Sequence, residues 1–198
     1  MPVGHYRGPA TVDADDVALV AAALQDRQAY GALLRRYEVR LARYVRRLLG
    51  QYGQMTEDVL QNGFIRAYLN LNDYDPARPF SPWIYRIMHN EALSQLRKQS
   101  AGIQTVAGEE AQLILERIAD DDSPEISLQR SQSATDLRAA LSKLDRRYQD
   151  VLVLRYLEGM TYEEISEVLA LPPGTVANNI SRGLNKLRTP LLRSWNVA

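Results

Sequence analysis

The sequence predicts an all-α protein: two small helical domains joined by a flexible acidic linker. Three observations carry that expectation. Apolar residues recur at three- and four-residue spacing along almost every ordered-looking stretch, and no strand-like alternation competes with them. The periodicity breaks near residues 100–130, where acids accumulate. Beyond that break, a short helix, a Pro-Pro-Gly turn and a longer helix lie in succession. The expected organisation is a tail over 1–12, a first domain over 13–100, a linker over 101–131 and a second domain over 132–198.

The first domain opens with Val17, Leu19, Val20, Leu24, Leu33, Leu34, Tyr37, Leu41, Tyr44, Val45 and Leu48 at helical spacing, enough for two helices before Gly50 and Gly53. A third helix is predicted from Thr56 to Leu71, with Thr56 as N-cap and Glu57 and Asp58 favouring its positive end. The stretch "NDYDPARP" is a turn-rich loop. Ser81-Pro82 then opens a fourth helix, with proline at the first helical position, and that helix ends near Gly102. The linker "AGIQTVAGEEAQLILERIADDDSPEIS" leaves room for one short helix around Ala111–Ile118. Helices over 131–144 and 145–158 follow, with Gly159 as a stop. Thr161 and Glu164 have the spacing of a capping box, Leu171-Pro-Pro-Gly makes the turn, and the last helix starts near Thr175.

Net charge is zero over 198 residues, but its distribution is not uniform. Residues 1–100 hold 13 Lys and Arg against 10 Asp and Glu, residues 101–136 hold 2 against 8, and residues 137–198 hold 9 against 6. The neutral total therefore hides a basic–acidic–basic layout. The sequence has no cysteine, which excludes disulfides and thiolate metal sites. No apolar run approaches a membrane span, and no export signal precedes the first helix, so the expected compartment is the cytoplasm.

On the last helix, Val176, Ile180, Gly183, Leu184 and Leu187 share the inward face. Asn178, Ser181, Arg182 and Asn185 point outward, flanked by Lys186 and Arg188, and none of these is acidic. An acid-free polar face suits phosphate, and an asparagine amide can pair with the N6/N7 edge of adenine. Asn178 and Arg182 are therefore expected at base edges, with Thr175, Lys186 and Arg188 on phosphates and Asn179 and Ser181 beside them.

Two stretches resemble the extracytoplasmic-function (group four) sigma factors of bacterial RNA polymerase. The first is "EDVLQNGFIRAY" followed by "DYDPARPFSPWIYRIMHNEAL" and a trailing "RK"; the second is "LSKLDRRYQDVLVLRYLEGMTYEEISEVLALPPGTVANNISRGLNKLR". Their order and separation match the family, and together they cover nearly the whole chain outside tail and linker. The resemblance implies no catalysis and no cofactor. The first domain would dock on the largest subunit of core RNA polymerase and melt the minus-ten element. The second would read the minus-thirty-five element in the major groove, and the acidic linker would run through positively charged polymerase channels meant for nucleic acid, with the largest and second-largest subunits of core polymerase as the partners. It also suggests an anti-sigma partner, often membrane-anchored.

Residue by residue, the resemblance places Asp58, Gln61 and Asn62 at the polymerase, with Asn62 standing where the family usually has Glu. Phe64 and Ile65 are expected in the core. Tyr74 and Asn90 match positions that hold a flipped base of the melted strand, which must be unstacked before its edge can be reached. Trp83 is expected to be a buried anchor, and His89 to be a surface contact to phosphate in place of a more usual Arg or Ala. Arg86, Arg97 and Lys98 complete the minus-ten set. Ala177 and Asn179 depart from frequent basic residues in the second domain. Two rivals belong to other classes. One is a helix-turn-helix regulator that is not a sigma factor. The other is a metal-dependent helical enzyme using the carboxylates of Ala119–Asp122.

Overall fold

A computed structural model describes residues 13–102, 140–141 and 143–195. Among the described residues there are seven α-helices and no strand. They are α1 (Ala14–Gln25), α2 (Tyr30–Leu49), α3 (Thr56–Leu69), α4 (Phe80–Gly102), α5 (Arg146–Leu152), α6 (Tyr162–Leu169) and α7 (Pro173–Trp195). The all-α expectation holds. The tail, the proposed linker helix around Ala111–Ile118, the carboxylates of Ala119–Asp122 and the helix expected from 131 lie outside the described residues, apart from a helical pair at 140–141.

The first four helices pack as one unit around α2. Its stripe Leu33, Tyr37, Leu41, Tyr44, Val45 and Leu48 is buried, as the sequence spacing requires. Asp13 caps α1 by accepting from the Asp15 N–H, and Arg36 on α2 reaches Asp13 at 2.5 Å and Asp16 at 2.7 Å. The Tyr37 hydroxyl donates to Asp16 at 2.5 Å, so α1 is pinned to α2 by charge as well as by Val20 and Ala23. Leu24, expected on the apolar face, stays 47% exposed, because it falls ~70° from the centre of the buried stripe of Asp16, Val20 and Ala23.

Several helix ends differ from expectation. Thr56 is the first helical residue and not the cap, because its hydroxyl turns back to the Gly53 carbonyl at 2.5 Å. α3 stops at Leu69, and the chain continues through a 3₁₀ turn, Leu71–Asp73, that buries Leu71. α4 starts at Phe80, so Pro82 sits inside its first turn, where a missing N–H still costs nothing. α3 and α4 approach closely at Gly63, whose missing side chain makes room for Met88.

The later helices form a second unit. α5 widens into a π turn, Val153–Leu157, with Glu158 N–H bonded to the Val153 carbonyl at 3.1 Å, and Gly159 ends it at φ +72°. α7 packs on α5 with Gly183 against Leu152 and Tyr148. The two units also meet, with α4 touching α3 through one face and α6 through another. Buried residues of both units belong to one continuous apolar cluster.

Candidate nucleic-acid interface

The helix-turn-helix is built by local chemistry. Thr161 accepts from the Glu164 N–H at 3.2 Å while Glu164 accepts from the Thr161 N–H at 2.7 Å, the reciprocal capping box that the sequence spacing predicts. α6 ends at Ala170, whose φ of +53° is left-handed, and the Leu171 N–H returns to the Ser166 carbonyl at 3.1 Å. The Ser166 hydroxyl donates to the Leu171 carbonyl and fixes the chain as it leaves. Pro172 then accepts from the Thr175 and Val176 N–H groups, and α7 begins at Pro173, two residues earlier than expected.

α7 buries Val176, Ile180, Gly183 and Leu187. Leu184, expected among them, is 42% exposed. At about 100° per residue it falls ~70° from the centre of that stripe, outside the groove that α5 and α6 provide. Thr175, Asn178, Ser181, Arg182, Lys186 and Arg188 are exposed, and Asn179 is half-buried. Lys186 has its ammonium 5.6 Å from the centre of the Tyr148 ring, so its stem lies along the second unit while its charge stays at the surface. No acid stands in the first turn of α7, which leaves its positive end open to an anion.

α4 carries a second polar strip. Arg86, Asn90, Arg97 and Lys98 are exposed, and Arg86, Asn90 and Arg97 fall within an arc of ~40°. The one acid of this helix, Glu91, is 4% exposed and paired with Arg66 at 2.8 Å, so the outward face bears no negative side chain. Two expected members are elsewhere. Tyr74 is 7% exposed, its hydroxyl donates to the Arg78 carbonyl, and its ring meets the edges of Phe80 and Trp83. It shapes the loop and does not project from it. Trp83, expected to be buried, is half-buried beside that aromatic group, on the same side of α4 as Asn90.

His89 corrects the expectation of a surface contact. It is 5% exposed, with Nδ1 2.9 Å from the Tyr44 hydroxyl and Nε2 3.9 Å from Asp150 of the second unit. Burial, helped by nearby Arg146, holds its pKa down at about 4, so the ring is neutral. Burial holds the Tyr44 phenol protonated, and the neutral ring meets that hydroxyl at Nδ1 and turns Nε2 toward Asp150. Burial also pushes Asp150 up to about 6, against the opposing pull of Arg146. Helical spacing alone puts His89 about 100° round the helix from Asn90, and the second unit packs over it through Asp150.

On α3, Asp58, Gln61 and Asn62 are all exposed. Ile65 was expected in the core and is 52% exposed, and Leu69 is 70% exposed. Asp58, Asn62, Ile65 and Leu69 recur at helical spacing along one face and form an amphipathic stripe that stays exposed among the described residues. Phe64 is half-buried against the core and accepts the Tyr30 hydroxyl at its carbonyl. Among the described residues no helix is long and apolar enough to cross a membrane.

Comparison with known proteins matches both units. The family model described as "Sigma-70 region 2" matches residues 33–102, and "Sigma-70, region 4" matches residues 134–187. The ECF RNA polymerase sigma factor SigW of Bacillus subtilis (strain 168) is 33% identical over 84% of this chain and 90% of its own length. Among solved structures, CnrH in complex with the cytosolic domain of CnrY matches with a TM-score of 0.64 at 30% identity, over 90% of this chain and 97% of that one. The sigma factor RpoE in complex with the anti-sigma factor NepR from Bartonella quintana shares the fold, with a TM-score of 0.57 at 21% identity, over 80% of this chain and 96% of that one.

Proposed function

The chain belongs to the extracytoplasmic-function sigma factors of the sigma-70 family, and from that premise we propose how its surfaces divide the work of starting transcription. The first unit, within 13–100, docks on core RNA polymerase and opens the minus-ten element. The second, within 132–198, reads the minus-thirty-five element. The observation that carries this reading is the pair of acid-free polar faces, on α4 and α7, each on a separate unit. The chain supplies recognition and strand capture, and the polymerase supplies the chemistry.

The α3 stripe is the polymerase contact. Asp58, Gln61 and Asn62 offer polar partners, and Ile65 and Leu69 offer apolar area that gains by leaving water, about 25 cal/mol per Å² buried. On α4, Arg86, Arg97 and Lys98 lie along the strand backbone, while Asn90 and the half-buried Trp83 are placed to hold an unstacked base. Tyr74 supports that pocket from inside the loop. On α7, Asn178 and Arg182 address base edges from the major groove, with Thr175, Asn179, Ser181, Lys186 and Arg188 around them. Few cations sit there, so phosphate grip comes largely from the polymerase.

A cytoplasmic location fits this role, with an anti-sigma protein as a regulating partner; the similar CnrH was solved bound to the cytosolic domain of CnrY. The test is reconstitution. The purified chain added to core polymerase should give promoter-specific transcripts, whose start sites define both elements. A helix-turn-helix regulator that is not a sigma factor would give none. Arg182→Ala should lower minus-thirty-five-dependent transcription at least tenfold, equivalent to the ~1–3 kcal/mol of one good base contact, while leaving polymerase binding intact. An unchanged minus-thirty-five preference in that variant would refute its assignment.

A further inference from the structure

The two units meet through Glu158, which accepts from Arg47 at 2.8 Å and from the Tyr85 hydroxyl at 2.7 Å, and through α4 against α6. That contact leaves the outer side of α7 open, and this side is not chemically uniform. At about 100° per residue, Thr175, Arg182 and Lys186 fall within an arc of ~40° on one flank of the outward face. Ala177, Ser181 and Leu184 fall within ~60° on the opposite flank. The first flank carries two cations. The second carries no charge until Arg188, one turn beyond Leu184.

Leu184 is 42% exposed, while Val176, Ile180 and Leu187 of the same helix are buried. It is apolar area that the packing of α7 on α5 and α6 does not use. Ala177 is half-buried and Ser181 exposed along the same edge.

The shape of DNA gives this edge a counterpart. A helix with its side chains is ~10–12 Å across and the major groove ~12 Å wide, so both flanks of a reading helix lie against the groove walls. The C5-methyl of thymine is the apolar group that a base pair shows there; the other landmarks donate or accept hydrogen bonds. The cationic flank suits phosphate. The other flank offers apolar surface and one small hydroxyl, which fits a methyl group. Ala177 and Leu184 stand seven residues apart, ~10 Å along α7, the rise of about three base pairs.

We propose that Ala177 and Leu184 form a thymine-reading edge: they cover C5-methyl groups on one wall of the minus-thirty-five major groove, with Leu184 supplying most of the discrimination. The edge rests on the assignment of α7 to that element. Base choice is then shared. Asn178 and Arg182 select through hydrogen bonds, and the Ala177–Leu184 edge tells thymine from uracil by the methyl alone.

Deoxyuridine isolates that methyl, because it keeps every hydrogen-bonding group of thymine. The full chain in complex with core polymerase is titrated with duplex promoters identified by reconstitution. In these duplexes each thymine of the minus-thirty-five element, on either strand, is replaced in turn by deoxyuridine. At one or more positions the replacement should weaken binding about fourfold, the weight of one buried methyl group. Leu184→Gln removes apolar surface at an exposed position of a helix that tolerates either residue, so the fold stays intact. This variant should bind the thymine duplex about fourfold more weakly than wild type and should no longer distinguish it from the deoxyuridine duplex. Leu184→Met should retain the difference. Arg182→Ala should bind both duplexes more weakly and keep their ratio, which separates methyl reading from hydrogen-bond reading. A wild-type complex indifferent to the methyl at every thymine overturns the proposal. So does an element built only of G·C pairs, or a Leu184→Gln complex that keeps the full difference. Failure of the underlying assignment looks different: if scrambling the whole minus-thirty-five element changes nothing, α7 does not read it, and the thymine edge falls with it.

Discussion

Ala170 holds a left-handed backbone at φ +53° at the turn of the helix-turn-helix, a conformation that costs an L-residue ~1–2 kcal/mol. Ala170→Gly should therefore raise stability by about 1 kcal/mol, read as a higher urea midpoint at unchanged slope. Gly183 makes the opposite case. A methyl there would stand 2.9 Å from Leu152 Cδ1 and 3.3 Å from Tyr148 Cβ, where α7 lies on α5. Overpacking of that kind costs ~1–3 kcal/mol, more than the ~1 kcal/mol that alanine gains in helix propensity, so Gly183→Ala should lower the midpoint. The sequence makes some of these residues legible and others not. The Thr161–Glu164 box depends on four consecutive residues, so spacing alone reveals it. Ala170 carries no such mark, because its conformation is imposed by how α7 must leave α6.

At the scale of elements, amphipathic spacing fixes which helices exist, and their ends depend on contacts the spacing does not contain. Thr56 looks like a cap until its hydroxyl is seen on Gly53. Ile65 looks like core because its type is apolar, yet α3 turns Val59, Gly63 and Ala67 inward and leaves Ile65 and Leu69 outside. Exposed apolar residues on an otherwise well-packed helix are an unfilled interface. Ile65→Lys and Leu69→Ser should each weaken binding to core polymerase at least tenfold. Their effect on folding should stay within ~0.5 kcal/mol, since neither side chain is buried in the free chain. Titration of labelled protein with core polymerase, beside a thermal melt, checks both halves. The polar face of α7 is legible because helical periodicity sorts charge by side, and the α4 residues are reached only through the resemblance of their motif; the hiding of His89 is reached by neither.

For the whole molecule, the decisive pairs are remote in sequence: Arg47 and Glu158 are separated by 111 positions and Tyr85 and Glu158 by 73. Nothing local announces them, which is why the closed arrangement is absent from a linear reading. A different remote pair across the same contact, His89 and Asp150, gives a pH signature. His89, lowered from 6.5 to about 4, is neutral in the closed form, so its contribution is present above pH 6.5 and is lost as pH falls toward 4. Asp150, raised from 3.8 to about 6, works in the reverse sense: its contribution is full below 3.8 and is lost as pH rises through 6. Between about pH 4 and 6 the two offset each other. Asp150→Asn removes one side of this balance, so its stability relative to wild type should fall as pH is lowered from 6 to 4. Parallel denaturation curves across that range provide the check, and a constant difference would refute the coupling.

The unit-to-unit contact also bears on how the protein behaves when crowded with copies of itself. Its two halves are joined only through the chain between residues 102 and 140, so nothing requires the Glu158 of one molecule to meet its own Arg47. A neighbour's pocket is chemically identical. The tether gives the internal partner an effective concentration on the order of a millimolar, so exchange between molecules becomes competitive only near that level. Concentrated stocks should therefore contain reciprocally exchanged dimers that persist on dilution for as long as the buried contact lasts, detectable by light scattering after a concentration jump. At cellular abundance the internal partner wins, and the factor stays one molecule long.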